Sequence, residues 1–252
     1  MNTGRGASCV AVSADSRWIA AGTYGGEVFV WDAETHQQVF SSYEEDFLSA
    51  IHTVDFSPDS SQFVTGSSVG VASVWDIATR KRVWLLRYYG QVIVAAKYAP
   101  QGDRIVIATQ DRVRIYDNMN HHLLVDINVK VTSFFNGGVL WFGNHFLVIS
   151  DGKIKRIDAS TGSAVSEWPA PDTSGTSCIA LPKHGEIIAY STKHTVTFWD
   201  TLRVTQLSLI EHPQDIRSIS FSPDDQHLAI GGQSGKIIIH RLFRTDVAAV
   251  AA

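Results

Sequence analysis

The 252-residue sequence is poor in several things. It holds only two cysteines, Cys9 and Cys178, too few for a disulfide framework, so a reducing cytoplasmic compartment is expected. No run approaches the roughly 18 apolar residues of a membrane span. Runs such as Val92 to Ala96 have the length of a strand, and no membrane association is expected. The opening stretch, MNTGRGASCVAVSADS, has too little apolar length for a secretory leader. An excess of basic charge is missing as well. With 21 Lys and Arg against 25 Asp and Glu, the formal charge is −4, which offers no field to a phosphate backbone and predicts no nucleic-acid partner. Ten histidines form no H-x-x-x-H pair and the cysteines no C-x-x-C, so neither a metal nor a cofactor is expected. Helical periodicity is absent throughout.

What is present is apolar strand material in a repeat. Hydrophobic residues make up 44% of the chain and charged residues 18%, enough for a substantial core. A β-rich stretch ending in an aromatic or apolar residue and then Asp recurs as EVFVWD (27–32), VASVWD (71–76), RVRIYD (112–117), KIKRID (153–158) and TVTFWD (195–200), with a degenerate copy KIIIHR (236–241). The penultimate residues, Trp31, Trp75, Tyr116, Ile157, Trp199 and His240, lie 44, 41, 41, 42 and 41 apart. A second marker keeps step: an apolar strand and a turn, as in TVDFSPDS (53–60) and SISFSPDD (218–225), where Pro before Asp suits a type I turn. A strand between the markers and another after each Asp give four short strands in about 42 residues. Such a sheet cannot bury both faces alone; stacking copies buries them.

This pattern resembles the WD40-repeat β-propeller family over essentially the whole chain. The resemblance implies an all-β propeller of about six four-stranded blades in a single domain, with approximate repeats 1–43, 44–88, 89–129, 130–171, 172–211 and 212–252. The last blade would take its outer strand from Asp246 to Val250. The last repeat is nearest in flavour to repeats of large fungal WD40 proteins. The match departs from the family in its polar signature. Glu211-His212 stands nearest to the usual Gly-His, and the tight-turn Asp is replaced by Gly25, Val69, Lys193 and Ser234, surviving only as Asp111 and Asp151. Most of the family's buried Asp–His–Ser/Thr–Trp network is therefore expected to be missing, leaving apolar packing to hold the blades.

Three other motifs read as structure. Gly66-Ser67-Ser68-Val69-Gly70 fits G-x-S-x-G, but joins two strands where nucleophile chemistry needs a strand-to-helix elbow. Gly231 to Lys236 is one residue short of a phosphate loop and opens no helix. His121-His122 falls in a turn. The expected function is a protein-interaction scaffold without catalytic activity. A sensor propeller of a larger fungal nucleotide-switch receptor is the alternative; a propeller-based hydrolase lacks the repeated acidic or His set it would need. Aromatics in the connections mark the expected partner surface: Tyr24, Tyr43, Phe47, Tyr88, Tyr89, Phe134 and Phe135, joined by Glu44, Glu45, Asp46 and His212. That mixture suits a basic protein segment with apolar anchors.

Overall fold

The computed structural model describes residues 6–43, 49–132, 139–169, 178–182, 187–201, 203 and 205–242. The described chain is β-strand throughout, arranged as six antiparallel sheets in which each strand pairs with the next in sequence. The first sheet holds β1 (Ala7–Val12), β2 (Trp18–Thr23), β3 (Glu27–Asp32) and β4 (Gln38–Tyr43). The second holds β5 (Ile51–Phe56), β6 (Gln62–Ser67), β7 (Val71–Asp76) and β8 (Lys81–Arg87). The third holds β9 (Ile93–Tyr98), β10 (Arg104–Thr109), β11 (Arg112–Asp117) and β12 (Leu123–Asn128). The fourth holds β13 (Val139–Phe142), β14 (His145–Ser150), β15 (Lys153–Asp158) and β16 (Ala164–Pro169). The fifth holds β17 (Ile179–Ala180), β18 (Ile187–Ser191), β19 (Thr195–Asp200) and β20 (Thr205–Glu211). The sixth holds β21 (Ile216–Phe221), β22 (His227–Gly232) and β23 (Ile237–Arg241); the expected outer strand at 246–250 lies outside the described residues.

Two compact units emerge, Met1–Val131 with Ala159–Ser163, and Thr132–Asp158 with Ala164–Ala252. The first contains sheets one to three and the second contains sheets four to six.

The recurrent Asp has a local cause. Its carboxylate caps the turn between the third and fourth strands. Asp32 Oδ1 accepts from the Glu34 and Thr35 amides at 3.1 and 2.8 Å, and Asp117 Oδ1 from Met119 and Asn120 at 2.9 Å each. Asp76 takes Thr79 at 2.7 Å and Asp200 takes Arg203 at 2.7 Å. Asp and Asn side chains favour turns for this reason. Just before each Asp, the ladder to the fourth strand shifts register between Val30 and Trp31, Val74 and Trp75, Ile115 and Tyr116, Arg156 and Ile157, and Phe198 and Trp199. The signature residue thus sits at a bulge, which bends and twists the strand.

In the first unit, Val28, Val30 and Phe40 of the first sheet pack with Ile51, Val54, Phe56, Phe63 and Trp75 of the second. Phe40 lies edge-on to Phe63 and Trp75, with centroids 5.3 and 5.4 Å apart, and Phe63 stacks on Trp75 at 6.4 Å. Val64, Ala72 and Val74 repeat the arrangement against Ile93, Ala96, Tyr98 and Ile105 of the third sheet. Polar bonds cross between these sheets too: Tyr98 N–H donates to Asp55 at 2.9 Å, and Lys97 pairs with the same carboxylate at 3.2 Å. In the second unit, Ile149, Ile154 and Trp168 meet Ile179, Ile188 and Tyr190, and Val196 and Phe198 meet Ile216, Ile219, Leu228 and Ile230.

A fragment of the polar network survives among the described residues. Trp75 Nε1–H donates to Thr65 Oγ1 at 3.3 Å. In the register of the first and fifth sheets, the place of Thr65 is taken by Ala21 and Tyr190, and the Trp199 indole N–H is buried without a partner. Trp75→Ala should cost about 3–5 kcal/mol by emptying the space between Phe40 and Phe63. Trp75→Phe should cost less than half as much, since the ring keeps those contacts and Thr65 can still donate to the Ser73 carbonyl at 3.4 Å. Urea midpoints of the two variants check this.

Candidate protein-interaction surface

Pairing of Tyr43 with Glu27, and of Arg87 with Val71, places the segments leaving β4 and β8 at the same end of their sheets as the β2–β3 and β6–β7 turns. The Ser8 hydroxyl donates to the Ile51 carbonyl, and Asp15 N–H to Ser60 Oγ at 3.2 Å. β1 and β5 therefore run start beside start, and both sheets present these turns at one common end.

At this end Tyr89 is 85% exposed, Tyr24 60% and Tyr43 40%. Thr23 shapes the turn that carries Tyr24: its hydroxyl oxygen accepts from the Gly25 and Glu27 amides at 3.3 and 3.1 Å. Tyr89 is held by a turn in which Gln91 N–H donates to the Tyr88 carbonyl at 3.1 Å and Tyr88 N–H to the Gly70 carbonyl at 2.7 Å. Val69, exposed on the β6–β7 turn, joins the tyrosines. The only sequence sign of it is an apolar residue where the repeat has its turn Asp.

Tyr88 behaves differently from Tyr89. It is half-buried, its hydroxyl 2.5 Å from that of Tyr116 and the Arg114 guanidinium 4.6 Å from its ring. Burial, then the Tyr116 hydroxyl, pushes its phenol above the ordinary tyrosine range. Tyr88 is thus a packing residue between the second and third sheets. His212 also departs from the expectation. It is 4% exposed, with Nδ1 2.8 Å from the Gln214 carbonyl and Nε2 buried without a partner, so it offers no surface to a partner protein. The loss of the turn Asp, replaced by Ser234, accounts for an imidazole retained without its acceptor. Glu44, Glu45, Asp46, Phe47, Phe134 and Phe135 lie outside the described residues.

The other motifs resolve as turns. Ser67 and Ser68 lead from β6 to β7, and Ser67 Oγ accepts from Val71 N–H at 3.1 Å. The Gly231–Lys236 stretch leads from β22 to β23. His121 stacks face to face on Trp84, centroids 4.5 Å apart. Cys9 and Cys178 are free and buried, and burial pushes each thiol up to about 11, so neither is a thiolate at neutral pH. Among the described residues no group of three or more His, Cys, Asp or Glu could hold a metal ion, and no helix is long and apolar enough to cross a membrane.

Sheets of this kind, stacked face on face by a repeat of about 42 residues, define a β-propeller. Comparison with known proteins makes the class narrower. The family model "WD domain, G-beta repeat" matches residues 3–32, 37–76 and 203–241. A guanine nucleotide-binding protein subunit beta from Zea mays is 21% identical over 204 residues, covering 73% of this chain and 53% of the relative. A small ribosomal subunit protein RACK1z from Oryza sativa subsp. japonica is 31% identical over 81 residues, 32% of this chain and 24% of the relative. A chain in a crystal structure of the mitotic checkpoint complex superposes with a TM-score of 0.81 at 15% identity, over 96% of this chain and 76% of that one. The chain has a β-propeller fold and carries WD40 repeats at three places, and it spans about half the length of the guanine nucleotide-binding beta subunits it matches.

Gly70 should be the most sensitive glycine at this surface. Its φ is +80°, and a Cβ there would run into the carbonyl oxygens of Tyr88 and Gln91. Gly70→Ala should cost about 2 kcal/mol or more and disturb the turn that presents Tyr89. The melting temperature and the tyrosine fluorescence of the variant check both effects.

Proposed function

We propose that this chain is a protein-interaction scaffold without catalytic activity, and that the end of the first two sheets bearing Tyr24, Tyr43, Val69 and Tyr89 is its recognition surface. The observation that carries the reading is the exposure of three tyrosines and a valine on turns and a strand end at one end of the β framework. Exposed aromatic and aliphatic groups clustered on a surface mark contact sites, and Tyr supplies a large contact area with a polar tip. The acids Glu44, Glu45 and Asp46 follow Tyr43 directly in sequence, which favours a basic protein segment with apolar anchors. The names of the similar proteins agree with a scaffold: a subunit, a ribosomal subunit protein and a chain of a multi-protein complex. The cytoplasm or nucleus is the proposed location; another relative, from Xenopus laevis, is a U3 small nucleolar RNA-associated protein 15 homolog.

The partner captured by the full chain in a pull-down provides the test. Changing Glu44, Glu45 and Asp46 together to Lys should slow association about tenfold at low salt and leave dissociation nearly unchanged. Tyr24→Ser with Tyr89→Ser should shorten the residence time without changing the melting temperature. If both variants bind normally while His36→Ala or Asp224→Lys abolishes binding, the recognition surface lies at the other end of the sheets.

A further inference from the structure

The two seams between neighbouring sheets in the first unit differ at the end opposite the tyrosines. Between the first and second sheets, the β1–β2 and β5–β6 turns are latched by the bond from Asp15 N–H to Ser60 Oγ at 3.2 Å. The next seam brings the β5–β6 turn beside the β9–β10 turn, and there the place of Ser60 is taken by Gly102. Both residues have left-handed backbone, φ +61° and +76°. Gly102 has no hydroxyl to receive Asp59 N–H, so the two turns of this seam lack that latch, and the nearest bond across it is from the Tyr98 hydroxyl to Gln62 Oε1 at 3.3 Å.

A cleft of about 610 Å³ occupies the unlatched seam. Pro58 and Asp59 of the second sheet's turn line it together with Gly102, the β11–β12 turn and Val83 of β8. Met119 of the β11–β12 turn also lines it and is 89% exposed. His121, stacked on Trp84, gives the cleft a flat aromatic wall.

The charge inside is of one sign. Asp59 is the sole ionised side chain among the lining residues. It accepts from the Ser57 hydroxyl at 2.6 Å and the Ser61 amide at 3.1 Å, bonds that hold its carboxyl below the usual carboxylate range. The cations nearby are turned to other groups or lie off the lining. The Arg82 guanidinium lies over the Trp75 ring at 5.5 Å, and Arg104 pairs with Asp103 at 3.4 Å. Arg80 and Lys81 precede Val83 in sequence without lining the cleft.

We propose that this cleft is a second docking site, taking an extended peptide segment in which an aliphatic residue adjoins Lys or Arg. The aliphatic side chain is covered by Val83 and Met119, and the cation meets Asp59. The occupant follows from the lining, which offers apolar lips, uncharged hydrogen-bonding groups and a single carboxylate. The site lies at the opposite end of the sheets from Tyr24 and Tyr89, and does not rest on the scaffold reading given above.

The test is fluorescence anisotropy of the full chain with a dye-labelled, acetylated and amidated peptide, Gly-Ser-Leu-Arg-Leu-Ser-Gly, and its counterpart with Glu in place of Arg. The Arg peptide should bind saturably and the Glu peptide should not. Gly102→Ser supplies the missing hydroxyl. The chain already holds Ser16 and Ser60 in the same backbone conformation, and a Cβ at 102 would meet Pro58 at an ordinary 3.5 Å. This variant should weaken binding at least about tenfold by closing the seam. Asp59→Asn should weaken it about fivefold, with loss of its salt dependence. Met119→Lys, at an exposed position that leaves folding undisturbed, should weaken it about tenfold and guards against a folding defect in Gly102→Ser. Absence of saturable binding up to about 1 mM, equal binding of the Glu peptide, or unchanged binding by Met119→Lys would each overturn the proposal.

Discussion

Everything in this chain depends on sheet faces that cannot be buried within a single repeat. A four-stranded sheet of about 42 residues has two faces and no helix to cover either. The aromatic and branched side chains of Phe40, Phe63 and Trp75 are buried because the next sheet lies on them. Burial of one such side chain is worth roughly 1.5–3 kcal/mol, well above the ~1 kcal/mol net of an ordinary hydrogen bond. The packing term therefore dominates, and it explains how repeats that have lost most of their polar signature still hold the arrangement. Among the described residues, the second sheet is where a tryptophan indole keeps a hydroxyl partner, Thr65.

The turns inherit their roles from that framework. Strand ends fixed by face-to-face packing leave the connections free to vary, and variation there carries the recognition chemistry. At one end, Thr23 and Gly70 shape turns that hold Tyr24 and Tyr89 in solvent. At the other, a difference of one hydroxyl, Ser60 against Gly102, separates a pair of turns bonded to each other from a pair that is not. The same backbone thus offers two chemically distinct surfaces.

Much of the fold could be read from the sequence because its signals are local and periodic. The marker of an aromatic or apolar residue and then Asp located the third strand of the first five sheets, and the Ser-Pro-Asp turns located the end of the first strand in the second and sixth. The bulge at each signature residue was not legible, since the extra residue arises from pairing with the fourth strand. Side-chain fate at the surface was harder still. Tyr88 and Tyr89 are adjacent and identical, yet one packs on Tyr116 and the other stands in water, a distinction set by the neighbouring sheet. His212 looked like an exposed connection residue, but it is buried, with its Nδ1 against the Gln214 carbonyl. The open seam at Gly102 could be found only by comparing turns across two sheets.

The central claim is that apolar packing between sheets, and not the remnant of the polar network, holds the blades together. The most direct measurement compares denaturant midpoints of Thr65→Val and Phe63→Ala in the full chain. Thr65→Val removes the acceptor of the Trp75 indole while nearly conserving volume, and should cost about 1 kcal/mol. Phe63→Ala empties the contact with Phe40, Phe56 and Trp75, and should cost about 3–5 kcal/mol. A cost for Thr65→Val equal to or above that of Phe63→Ala would contradict the account.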